Sequence, residues 1–195
     1  MLLQMMRIVQ QWSPDSENPF SDFLASIDRL KITLTLRSEI RKHALMFVQK
    51  SHTFILGRGI FYPVAQEFAL KIKELAYLHA EAFSSGELKH GPLALIEKGT
   101  PVIVMAFKNF QLAKTISNIE EVLARGANIL VITDANLNEL CQSTQLSALQ
   151  VPFEVEQNDL FSVLAIAQLL TYELAIHKNI NPDRPRNLAK CVTVE

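Results

Sequence analysis

The sequence is poor in cysteine, in glycine and proline, in net charge and in unbroken apolar runs. Only Cys141 and Cys191 occur among 195 residues, too few for a disulfide framework. There is no CxxC pair and no Cys/His cluster, so neither a structural zinc nor any other metal site is expected. Six glycines and eight prolines exclude a low-complexity or collagen-like chain. Nineteen basic and twenty acidic side chains leave a net charge of −1, without the basic face of a nucleic-acid platform. The longest apolar stretch, Leu160 to Leu170, is interrupted by Ser162 and Gln168 and falls short of the roughly 20 residues of a membrane span. The opening residues MLLQMMRIVQQW lack the basic start and small-residue cleavage site of a signal peptide. The expected setting is cytoplasmic and reducing, with neither nucleic acid nor membrane as partner.

What is present is a core. Hydrophobic residues make up 49% of the chain, and its length suits one domain, too short for two full α/β domains. The polar, proline-bounded Ser13 to Pro19 reads as a linker. The preceding Met1–Trp12 reads as a short amphipathic helix or a docking tail. Residues 1–20 are therefore expected to be an extension and 21–195 the folded domain, with 178–195 as a polar tail.

Leu36, Ile40, Ala44, Phe47 and Val48 recur at spacings that predict helix from about Phe20 to Lys50. Strand and helix candidates then alternate. Thr53–Leu56 is a strand ending at Gly57-Arg58-Gly59. Pro63 opens a helix with an apolar stripe of Ala65, Phe68, Ala69, Ile72 and Ala76. His79–Phe83 is a weaker strand. Pro101–Phe107 is a wholly apolar strand of the kind buried in parallel sheets. A helix over Ala113–Arg125 is closed by Gly126. Asn128–Thr133 and Ser147–Val151 are further strands, and Leu160–His177 is a long apolar helix. The alternation predicts an α/β fold, a three-layer α/β/α sandwich around a mainly parallel, flavodoxin-like sheet. Ligands in such folds bind beyond the C-terminal strand ends, here Gly57–Gly59, the segment after Phe83 and the turn after Phe107.

The chemistry-bearing residues each admit two readings. The GRG turn lacks the third glycine of a dinucleotide fingerprint, with Tyr62 standing there, so it reads as a tight strand-to-helix turn. There is no GK[ST] loop, HExxH or GxSxG. Glu67, Lys71 and Glu74 share one helix face, either as a solvated salt-bridge ladder or with Glu74 as a general base tuned by Lys71. The segment Ser84–Pro92, SSGELKHGP, is a polar surface turn or a site loop in which His90 serves as acid and base. Lys190, among apolar neighbours in NLAKCVTV, is solvated, or is a desolvated amine nucleophile.

Two long segments bear on these alternatives. GRGIFYPVAQEFALKIKELAYLHAEAFSSGELKHGPLALI, Gly57 to Ile96, and DRPRNLAKCVTVE, Asp183 to Glu195, resemble the second sugar-isomerase (SIS) domain and the tail of the glutamine–fructose-6-phosphate aminotransferase family. The resemblance runs from about residue 30 to the end and is absent from the first twenty residues. It implies conversion of fructose 6-phosphate and ammonia to glucosamine 6-phosphate, with no cofactor. It also implies roles. Lys190 forms a Schiff base with the C2 carbonyl, Glu74 moves the proton between C1 and C2, and Lys71 lies beside it. His90 assists ring opening in the neighbouring subunit's site. The backbone around Ala189 touches the sugar, and Arg186 and Asn187 order the tail.

Two departures qualify this. Leu2 follows Met1 where the family's glutaminase domain has a catalytic cysteine, so glutaminase and first SIS domains are expected to be missing from this chain. The turn Phe107-Lys108-Asn109-Phe110 has none of the serines of the family's phosphate loop, so no anion cradle is expected. The isolated chain is therefore expected to be a poor or inactive catalyst. The alternative is a non-catalytic sugar-phosphate-binding regulatory module. A homodimer is expected, because the family's His90 acts across subunits and the helix Leu160–His177 offers an apolar face.

Overall fold

The computed structural model describes residues 19–109, 111–136, 143–155 and 159–188. The readings placed on Met1–Trp12, Ala189 and Lys190 lie outside these residues. Five short runs form β1 (His52–Gly57), β2 (His79–Ser84), β3 (Pro101–Met105), β4 (Asn128–Thr133) and β5 (Leu146–Gln150). All pair in parallel, in the order β2-β1-β3-β4-β5. This is the flavodoxin-like arrangement, whose switch point lies between β1 and β3.

Register sorts the strand residues into two cores. Ile55, Ile103 and Leu130 stand abreast and face one layer, while Phe54, Val102 and Ile129 face the other. The first layer holds α2 (Arg37–Ala44), α3 (Phe61–Ala76) and α5 (Leu160–His177), with α1 (Pro19–Thr35) packed on α5. The second layer is thinner. It holds α4 (Leu112–Leu123) and the short 3₁₀ segments Ser85–His90 and Pro92–Leu95.

The helix expected over Phe20–Lys50 is broken. α1 ends at Thr35, α2 begins at Arg37, and a 3₁₀ turn follows at Leu45–Phe47. Thr33 and Thr35 donate their hydroxyls to the carbonyls of Arg29 and Ile32, at 3.0 and 2.6 Å, the back-bonding that bends helices. Ion pairs from the two pieces hold α5. Arg29 meets Asp159 at its N-cap, and Arg37 meets the buried Glu173, each at 2.6 Å.

α5 is by length and composition able to cross a membrane, but 56% of it is buried within this fold. Its packing against α1, α2 and α3 is that of a core helix. The outward remainder is narrow: Phe161, Gln168, Tyr172 and Ile176.

Candidate functional site

α3 sets the site. Its N-terminus presses on the end of β1: a Cβ on Gly57 would lie 2.6 Å from the carbonyl carbon of Phe61. The first glycine of GRG therefore serves helix–strand packing, as the sequence suggested. Val64, Ala65, Phe68, Ala69, Ile72 and Ala76 face the core, which turns Glu67, Lys71 and Glu74 outward. Lys71 Nζ lies 2.7 Å from Glu74 Oε2 and 3.5 Å from Glu67 Oε1. The hydrogen bond to Glu74 raises the Lys71 pKa above the usual lysine value. Burial opposes this, and the charges of Glu74 and Glu67 add to it.

The helix stops at Tyr77, whose φ of 52° and ψ of 35° are left-handed. Glycine is the default residue there, and a bulky side chain costs about 1–2 kcal/mol. The other non-glycine residues at positive φ, Asn179 and Asn187, belong to a type that tolerates it. The tyrosine has a use. The Arg186 backbone N–H donates to Tyr77 Oη at 2.7 Å, and the Arg186 guanidinium lies 4.2 Å from the ring centroid. This clasp brings the chain after α5 back onto the end of α3. Glu74, Tyr77, Leu78, Lys73, His79, Arg186, Asn187 and Leu188 together line an open cleft of about 410 Å³.

The cleft is not at the strand ends where the topology pointed. Because α3 runs back along the sheet, its last turn and Glu74 lie beside the N-terminal end of β2. His90 follows the C-terminal end of the same strand. At about 3.3 Å per residue, β2 separates the two by on the order of 15 Å. The structure thus joins Glu74, Lys71, Arg186 and Asn187 in one region and leaves His90 apart from them within a single chain.

The backbone beyond β3 is tied to a buried side chain from the end of β4. Asp134 accepts from the Lys108 and Val155 backbone amides, both at 2.7 Å. Arg58 turns to Asn118 Oδ1 at 3.0 Å. The Lys108 amide in the turn after β3 is thus taken by an internal carboxylate.

Sequence reasoning missed Tyr77, His79 and Lys73 as cleft residues. The one local signal was a tyrosine, not a glycine, at the end of a strongly patterned helix.

Comparisons with known proteins show the family. A family model for the SIS domain matches residues 46–178. A glutamine–fructose-6-phosphate aminotransferase of Wigglesworthia glossinidia brevipalpis is 43% identical over 168 residues, covering 86% of this chain and 27% of that protein. The corresponding protein of Vibrio parahaemolyticus is 42% identical over 184 residues, 94% of this chain and 30% of its own length. This chain thus spans less than a third of these relatives. Among solved structures, the C-terminal domain of glucosamine-fructose-6-phosphate aminotransferase from Francisella tularensis superposes with a TM-score of 0.77 at 38% identity, covering 82% of this chain and 45% of that one. A tagatose-6-phosphate ketose/aldose isomerase from Escherichia coli shares the fold, with a TM-score of 0.78 at 20% identity over 97% of this chain and 52% of its own. With its parallel sheet, its switch in strand order and its matched span, this chain belongs to the SIS domain family, and it corresponds to the C-terminal region of glutamine–fructose-6-phosphate aminotransferase.

Proposed function

We propose that the chain is the sugar-isomerase part of such an aminotransferase, acting on fructose 6-phosphate and ammonia to give glucosamine 6-phosphate. The observation that carries this reading is the convergence of Glu74 with the tail residues Arg186 and Asn187 on one cleft. Lys73 and Arg186 outnumber Glu74 on the cleft wall, which suits an anionic sugar phosphate.

In this mechanism the Lys190 amine adds to the C2 carbonyl of the open-chain ketose and expels water, leaving an imine. Ammonia displaces the lysine. The Glu74 carboxylate then takes a proton from C1, giving an enolamine, and returns it to C2 as the C1 hydroxyl becomes the aldehyde. Lys71, held at 2.7 Å, aims the Glu74 carboxylate. Ala189 contacts the sugar through its backbone. His90, a strand length away, serves the cleft of a second subunit, so the working unit is a homodimer. The phosphate grip comes from a companion SIS domain, since the turn Phe107-Lys108-Asn109-Phe110 carries none of the serines of a phosphate loop.

The test is exchange of the C1 proton of fructose 6-phosphate with solvent in the presence of an ammonium salt, followed by NMR in deuterated water. The chain is assayed alone and with a first SIS domain supplied in trans. Exchange that needs the added domain and disappears in Glu74→Gln supports the proposal. Sugar-phosphate binding without exchange in either case favours the regulatory module.

A further inference from the structure

A second groove, of about 570 Å³, lies between α2 and the last turn of α5 and shares no lining residue with the Glu74 cleft. Its walls are Arg37, Ser38, Arg41, Lys42, Leu45 and His177. Behind them sits Glu173, 2% exposed. Arg37 Nε donates to Glu173 Oε1 at 2.6 Å, and Arg41 Nε lies 3.7 Å from Oε2. Arg37 is further held over the Tyr172 ring, 5.3 Å from its centroid. One buried carboxylate thus hydrogen-bonds the Arg37 guanidinium and lies within ion-pair range of Arg41. Among the described residues, no other carboxylate pairs with either arginine or with Lys42. Three permanent cations against one carboxylate leave a surplus of two positive charges in the groove.

Helix dipoles do not account for this cluster. Arg41, Lys42 and His177 stand in the last turns of their helices, where cations are favoured. Arg37 is the first residue of α2, where a cation is disfavoured. Arg37 and Arg41 are also like charges at i and i+4, a pairing that weakens a helix. The arrangement opposes the local preference of α2 and is held in place by Glu173.

We infer that this groove binds a small molecule bearing a diphosphate group. Both guanidinium groups approach the two oxygens of one carboxylate, so they stand side by side, and two linked phosphoryl groups can take one guanidinium each. Planar guanidinium forks suit phosphate oxygens. Lys42 and the Ser38 hydroxyl flank the pair. Leu45, 57% exposed, provides an apolar wall for the remainder of the ligand. The inference is independent of the reaction assigned to the Glu74 cleft.

The probe is inorganic pyrophosphate, titrated calorimetrically into the whole chain at about 0.15 M ionic strength, where distant exposed charges are screened. One-to-one binding is expected. Arg41→Gln with Lys42→Gln, both exposed, should weaken it about tenfold or more, the loss expected for one charge-assisted hydrogen bond. Lys98→Gln with Lys114→Gln removes the same charge from other exposed sites and should change it less than about twofold. A titration followed by NMR should shift the Leu45 methyl and His177 ring signals of the unmodified chain. No binding at this salt, equal weakening by both double variants, or unmoved Leu45 and His177 signals would each overturn the inference.

Discussion

The clasp between Tyr77 and Arg186 can be tested without any catalytic assay. Tyr77→Phe removes the phenolic oxygen that accepts from the Arg186 amide at 2.7 Å and keeps the ring 4.2 Å from the guanidinium. A neutral hydrogen bond contributes about 0.5–1.5 kcal/mol, so the docking equilibrium constant of the tail should fall roughly 2- to 13-fold. Tyr77→Leu also removes the stacking, worth about 0.5–1 kcal/mol at an exposed site, and together the losses reach roughly 5- to 70-fold. Hydrogen exchange of the Arg186 amide, read residue by residue by NMR, reports the docked fraction directly. Protection should fall in the order wild type, Tyr77→Phe, Tyr77→Leu, with the amides of β1 and β3 unchanged. An Arg186 amide that exchanges at the same rate in all three proteins would refute the reasoning. The tail would then be seated by something other than Tyr77.

Other expectations follow from particular residues. Glu74→Gln should abolish C1 proton exchange by about 10²- to 10⁴-fold without unfolding the chain. It should also lower the Lys71 pKa, raised chiefly by Glu74, as read from the lysine side-chain NMR signal. Gly57→Ala should destabilise the fold by about 1–3 kcal/mol in denaturant unfolding, because the new methyl meets the α3 backbone. Gly86→Ala, whose Cβ meets only the end of the Arg58 side chain at 3.7 Å, should leave stability nearly unchanged. Half-buried His43 has its pKa lowered from 6.5, mainly by burial, with Glu39 opposing and Lys42 adding. Its folded pKa lies below its unfolded one, so the unfolded chain binds the proton first. Its contribution to stability is complete above about pH 6.5 and is lost as the pH falls toward the folded value. Unfolding curves across pH 5 to 8 should show this slope, and His43→Gln should flatten it.

Most elements were legible because their signals are local. β4 was read with the bounds it has, Asn128–Thr133, and α5 likewise, Leu160–His177. A strand buried on both faces is a continuous apolar run whatever its neighbours. Gly126 closes the turn after α4 at φ 81°, as a glycine after a helix does. The break at Leu36 was less legible, since the apolar period continues across it and only the Thr33 and Thr35 hydroxyls interrupt the backbone. The turn Ser84–Pro92 reads as surface from composition, yet Ser85 and Leu88 are fully buried, because the segment covers the thin side of the sheet where no helix does.

The Glu67, Lys71 and Glu74 face follows from helical spacing alone. Its partner does not. Arg186 is 109 residues from Tyr77, and no periodicity links them. Their meeting depends on α5 returning the chain to the end of the sheet where α3 stops. The separation of Glu74 from His90 is likewise a property of the fold. Only fifteen residues lie between them in sequence, but β2 carries the chain from one end of the sheet to the other in that interval. The amino-acid order by itself determined the strands, the helices, the absence of a serine phosphate loop and the residue types able to do the chemistry. Only the tertiary structure decided which of them share a cleft, because side-chain spacing is written along one element, and a cleft is made where separate elements end together.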